Sequence, residues 1–194
     1  AESITQYDDE TPGSGSVVND VKSTYDGWGN LTNYEEDRDS LVGASTPNDY
    51  EVSYMYEVED GAGRKTIRRT RQDIGYGTAG FDWVEYQYLS SSDRFDDDAS
   101  RVTQLYSKDG VTYAAYDYTG MSTVVGIEYP EPDVYRRLYG SSQGDYPDLD
   151  RFNRQVNSTW SKDLSTDVNF YDVDYSYDRN SNITVWDDAV LPGF

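Results

Sequence analysis

The sequence predicts an all-β fold of consecutive antiparallel β-hairpins, forming a strip or a two-layer sheet with few or no helices. Three observations carry this expectation. Apolar and aromatic residues alternate at period two. Tyrosine is abundant, with 20 in 194 residues. An aspartate-led turn pattern also recurs along the chain. Tyrosine buries its ring and keeps its hydroxyl wet, which suits thin-cored β structure. An aromatic share of 15% sets the chain apart from disordered acidic sequences.

From the N-terminus, Ile4 to Tyr7 reads as a short strand. Thr11-Pro12-Gly13-Ser14-Gly15-Ser16 follows as a flexible linker. The chain therefore divides into an N-terminal strand and linker, residues 1–16, and a hairpin-repeat domain, residues 17–194. The first strand can fold back or reach a neighbouring chain. Helical periodicity is weak and confined to Val17–Val21 and Asp163–Phe170. Val52, Tyr54, Tyr56 and Val58 alternate and should share one face of a strand. Gly61-Ala62 should turn a hairpin that sets Tyr56 opposite Ile67 and Glu59 opposite Arg64. Asp109-Gly110 suits a two-residue type I′ turn, with Ser107 opposite Thr112 and Tyr106 opposite Tyr113.

The repeat is Asp-x-x-small-(Arg/Asn)-x-(Thr/Val). Its copies are led by Asp26, Asp60, Asp97, Asp150 and Asp178, with a degenerate copy at Asp117. The leading aspartates lie about 20 to 37 residues apart, the spacing of stacked supersecondary units. Each slot has a physical reason. The carboxylate can accept backbone N–H groups across the turn as an Asx-type brace. The small residue three positions later tolerates positive φ. Thr or Val then opens the return strand. All of these aspartates are expected at hairpin turns.

Tyr25-Asp26-Gly27-Trp28-Gly29-Asn30-Leu31-Thr32 and Tyr177-Asp178-Arg179-Asn180-Ser181-Asn182-Ile183-Thr184 resemble the Tyr-Asp-x-x-Gly-Arg-Leu-Thr signature of the RHS/YD-repeat family. The stretch from Asp97 to Trp186 is similar to the long RHS proteins of planctomycete-type bacteria. It carries Ser100-Arg101-Val102, Tyr116-Asp117-Tyr118-Thr119-Gly120 and Leu149-Asp150-Arg151-Phe152-Asn153-Arg154 in that order. The resemblance implies hairpins joined edge to edge into a spiralling strip. In toxin-associated members the strip closes into a shell around cargo, and in surface members it is an elongated scaffold. This chain is too short to close a shell alone and lacks the family's self-cleaving aspartyl motif. Toxin release by autoproteolysis is therefore not expected of it.

Composition narrows the chemistry. The absence of Cys removes thiol and disulfide chemistry, and the absence of His removes the usual general base and commonest metal ligand. A net charge of −21, from 16 basic and 37 acidic residues, disfavours nucleic-acid binding. No segment is apolar enough to span a membrane as a helix. The chain begins at Ala1 with no Met and no apolar leader, as a processed secreted protein or a fragment would.

Asp145, Asp148 and Asp150 form the candidate structural calcium cluster, calcium being the one cofactor considered. Trp28, inside a turn, is the candidate carbohydrate-stacking residue. Asn30, Asn157 and Asn182 head N-glycosylation sequons. No matched carboxylate pair points to a glycosidase, and no catalytic residue is assigned. The expected function is a non-catalytic structural module of an extracellular or cell-surface assembly, self-associating through strand edges into a filament or scaffold. The alternatives are a carbohydrate- or receptor-binding adhesin segment and part of an RHS toxin-encapsulating shell.

Overall fold

The computed structural model describes residues 1–11, 13–44, 49–59, 65–76, 81–88, 94–140, 144–163, 166 and 168–190. These residues are almost entirely β structure, with thirteen strands among them. Strands follow one another antiparallel in chain order, so the fold is the expected run of hairpins. The chain forms two compact units. One comprises residues 1–86 with 107–110, and the other comprises 87–106 and 111–194.

The first unit carries β1 (Glu2–Tyr7), β2 (Val17–Tyr25), β3 (Leu31–Asp37), β4 (Tyr50–Glu59), β5 (Lys65–Tyr76) and β6 (Phe81–Gln87), each paired with the next. Strand β1 extends the expected Ile4–Tyr7 segment and folds back on β2, with Ile4 opposite Val21. Val17–Val21, a weak helical candidate, lies within β2, where the β-branched Val17, Val18 and Val21 fit a pleated strand. Asp20 is buried in β2. It accepts bonds from Thr5 Oγ1 at 2.6 Å and from the Val42 N–H at 2.8 Å. A buried carboxylate is tolerable only with such donors.

The second unit carries α1 (Arg94–Asp98), β7 (Gln104–Ser107), β8 (Thr112–Thr119), β9 (Thr123–Tyr129), β10 (Val134–Arg137), β11 (Asn157–Lys162), β12 (Val168–Tyr177) and β13 (Ile183–Asp188). From β7 to β13 each strand pairs antiparallel with the next. The other helical candidate, Asp163–Phe170, begins with Asp163 at φ 63° and enters β12 at Val168. The short helix α1 was not expected from periodicity. Among the described residues no helix is long and apolar enough to cross a membrane.

Both expected registers are corrected at their tips. Gln104 and Leu105 face Ala115 and Ala114, on the expected diagonal, but Tyr106 faces Thr112, not Tyr113. The Gly110 N–H reaches the Ser107 carbonyl at 3.1 Å, and Gly110 alone takes positive φ, 75°. That is a type I turn followed by a G1-type bulge, because Asp109 stays out of the left-handed region that a type I′ turn requires. In the β4–β5 hairpin Tyr56 faces Arg69, not Ile67, and Glu59 faces Lys65, not Arg64. Bulges at Met55/Tyr56 and between Glu57 and Glu59 absorb the slip. Gly61-Ala62 lies outside the described residues.

The apolar core is thin. Among the described residues Val52, Ala114, Leu138 and the fully enclosed Val125 and Val173 are buried, with Tyr88 and Tyr135. Arginine stacking supplements it. Arg71 lies 4.0 Å from the Trp83 ring while its Nε donates to Asp73 at 2.5 Å. Such planar cation–ring contacts need less depth than an aliphatic core.

Candidate functional site

The recurrent turn has one geometry in three copies. Asp26, Asp150 and Asp178 each open a five-residue loop. The flanking residues pair across it: Tyr25 with Leu31, Leu149 with Gln155, and Tyr177 with Ile183. One carboxylate oxygen accepts the N–H groups two and four positions on. These belong to Trp28 and Asn30, Phe152 and Arg154, and Asn180 and Asn182, at 2.8–2.9 Å. The other oxygen accepts the side chain in the fourth slot, from Asn30 Nδ2, Arg154 Nε or Asn182 Nδ2. The third slot, Gly29, Asn153 or Ser181, takes positive φ of 86°, 59° and 66°. The carboxylate thus closes the loop, and a residue tolerant of the left-handed region completes it.

These bonds favour the charged form. The Asn30 amide holds Asp26 below the ordinary carboxylate value, and the Asn182 amide does the same for Asp178. At Asp150 burial pushes upward, but the bonds from Arg154 and Phe152 outweigh it. A carboxylate lowered on folding stabilises the fold above its unfolded value of 3.8. That stabilisation is lost as pH falls through the lower folded value.

The remaining copies differ. Asp97 lies in α1, not at a hairpin. There the Arg101 N–H reaches the Asp96 carbonyl, the Ser100 N–H reaches the Asp97 carbonyl, and Ser100 has φ 53°. This is a Schellman helix end, which uses the same left-handed slot, and the Arg101 guanidinium pairs with Asp96. Asp117 is also not at a turn. It sits within β8 opposite Gly126 and accepts the Tyr139 hydroxyl at 2.8 Å. Burial, reinforced by that bond, pushes the Tyr139 hydroxyl up to about 12. The degenerate copy turns three residues beyond Asp117, at Gly120, so its aspartate cannot brace the loop. Asp60 lies outside the described residues.

Two recurrent features escaped the sequence reading. The carbonyl five positions after the leading aspartate accepts a tyrosine hydroxyl from later in the chain. Tyr56 reaches Leu31 at 3.0 Å, Tyr118 reaches Val102 at 2.8 Å, and Tyr177 reaches Gln155 at 2.7 Å. In the last two pairs the fourth-slot arginine stacks on that tyrosine, Arg101 at 4.7 Å from Tyr118 and Arg154 at 4.6 Å from Tyr177. The same arginines donate forward into a later turn, Arg101 to the Gly120 carbonyl and Arg154 to the Asp178 carbonyl. The Arg/Asn alternation in the fourth slot was the available signal, because only arginine is long enough to make this reach.

The chain matches no protein-family model and no curated sequence.

The other candidates have these positions. Trp28 is 71% exposed at its turn. The sequon amides are engaged: Asn30 and Asn182 brace their turns, and Asn157 Nδ2 donates to Asp172 at 2.9 Å and Asp174 at 3.0 Å. Asp145, Asp148 and Asp150 do not gather into the expected calcium cluster. Asp150 turns into its own loop toward Arg154, Asp145 lies beside Gly140, and Asp148 faces the charges of Asp172 and Asp174. Among the described residues no group of three acidic side chains could hold a metal ion.

Burial, then those two neighbouring charges, raises Asp148 above the ordinary carboxylate value. A raised carboxylate costs stability as pH rises through its folded value. Asp148→Asn is therefore expected to raise the thermal midpoint near neutral pH and to give no gain below the unfolded value of 3.8. Melting curves of both proteins across that range check this.

Proposed function

We propose that this chain is a non-catalytic structural repeat module of the RHS/YD type, belonging to an extracellular or cell-surface assembly, whose copies associate through open strand edges. The observation that carries the reading is edge strand β13. It pairs only with β12 among the described residues, and Ile183, Val185 and Trp186 along it are each more than half exposed. An uncovered, apolar edge offers unpaired N–H and C=O groups to a further strand. The turn aspartates support the non-catalytic part, since Asp26, Asp150 and Asp178 spend both oxygens inside their own loops.

Electron microscopy and sedimentation of the purified chain test this reading, with salt screening the repulsion between copies of charge −21. Ordered filaments or strips are expected. Val185→Lys places a charge on the edge and should raise the concentration needed for assembly about tenfold, equivalent to about 1.4 kcal/mol per contact. A monodisperse monomer at high concentration and in salt overturns the reading. The exposure of Trp28 favours a second reading, carbohydrate binding, tested by a glycan array with Trp28→Ala as the control.

A further inference from the structure

The braced turns led by Asp150 and Asp178 wall a cleft of about 640 Å³. Its walls include Arg151, Phe152, Arg154, Tyr177, Arg179 and Ser181. Three of the chain's 16 basic residues therefore meet in one cleft of a molecule with 37 acidic ones. Both aspartates keep their negative charge and both act on Arg154, so the three arginines exceed them by one. Asp150 is paired with Arg154, and Asp178, on the cleft wall, spends its oxygens on the Asn180 and Asn182 N–H groups and the Asn182 amide.

Arg151 and Arg179 are exposed and have no hydrogen-bond or ion-pair partner among the described residues. Among the described residues Arg151 is steadied by the Phe152 ring, 4.6 Å away. Two unpaired guanidinium forks in a strongly acidic chain are available for oxyanions, which they bind in bidentate geometry.

We infer that this cleft binds a short carboxylated saccharide, its carboxylates held by Arg151 and Arg179 and its ring carbons set against the exposed edge of Phe152. The volume falls within the roughly 300–1,000 Å³ of small-ligand sites. Phe152 is 63% exposed, which supplies the apolar wall, and the Ser181 hydroxyl lies on the rim. A short ligand brings carboxylates without a large acidic surface. An acidic segment of a second copy would approach against the field of two chains of charge −21 each. The cleft is lined by turn residues and Tyr177 at the end of β12, not by the exposed side chains of β13, and the inference does not rest on the assembly reading.

Titration calorimetry of the whole chain with trigalacturonate, with neutral galactotriose and with inorganic sulfate tests the inference. Trigalacturonate is expected to bind, galactotriose to bind at least tenfold more weakly, and added salt to weaken the acidic ligand. Arg151→Ala/Arg179→Ala should weaken trigalacturonate at least tenfold. Arg151→Lys/Arg179→Lys, which keeps the charge but loses the forks, should fall between. An unchanged urea midpoint shows that each variant is folded. The inference is overturned if trigalacturonate fails to bind below about 1 mM, if the alanine variant binds it unchanged, or if sulfate or an acidic peptide of matched charge competes as well as the saccharide.

Discussion

Tyr177→Ala is expected to destabilise the second unit by about 3 kcal/mol, toward the lower end of aromatic-to-alanine costs because the residue is only half-buried. The ring carries the Arg154 guanidinium at 4.6 Å, and the hydroxyl satisfies the Gln155 carbonyl at 2.7 Å. Its loss frees Arg154 from the stack and leaves that carbonyl without its donor. Tyr177→Phe keeps the ring and removes only the donor, so about 1 kcal/mol is expected. Urea unfolding of the three proteins checks both values. If the phenylalanine variant proves as costly as the alanine one, the hydroxyl is the main stabiliser. If the alanine variant costs under about 1 kcal/mol, the tyrosine is not a lock.

Gly126→Ala is expected to cost about 1–3 kcal/mol, the range for overpacking a closed site. A Cβ at Gly126 would stand 2.6 Å from one Asp117 carboxylate oxygen and 2.9 Å from the Asp117 Cβ. The carboxylate could swing aside, but the Cβ is fixed by strand β8. Swinging would also surrender the Tyr139 hydroxyl, which Asp117 accepts at 2.8 Å. Asp117→Gly/Gly126→Ala removes both the carboxylate and the Cβ that the new methyl would meet, so it should recover the steric part and leave the lost hydrogen bond and the cost of glycine in a strand; a double-mutant cycle of urea midpoints should show coupling well outside additivity. Additive costs would mean that the cross-strand pair is not the source.

The fold class was legible because its causes are local. Alternation along β4, the aspartate of each loop and the left-handed slot three residues later are all fixed within a few positions. The hairpin tips were not. Whether Asp-Gly at 109–110 makes a two-residue turn or a bulged one depends on whether Asp109 joins Gly110 in positive φ, and the strands decide that. Asp117 was misplaced for a different reason. It follows a tyrosine like Asp26 and Asp178, but its loop turns later, at Gly120, and its partner Tyr139 lies 22 residues away. The arginine contacts were half legible. The fourth slot was visible, but its targets lie in a later turn, which no local pattern reveals. The Arg151–Arg179 cleft exists only because two such turns come together.

The forward reach of Arg154 and the backward reach of Tyr177 have a consequence for how such chains can be cut and recombined. A hairpin lifted out at its own strand ends would leave behind the tyrosine that holds its loop and the carbonyl that its arginine grips. The exchangeable tile is therefore offset from the visible hairpin, running from one leading aspartate through the tyrosine and the loop of the following turn. The Asn30 and Asn182 loops keep their fourth-slot side chains within their own turns, so neither sends an arginine forward, and a cut there tears fewer bonds: the Tyr56 hydroxyl on Leu31 at the first, and the grip of Arg154 on Asp178 and Ser181 at the second.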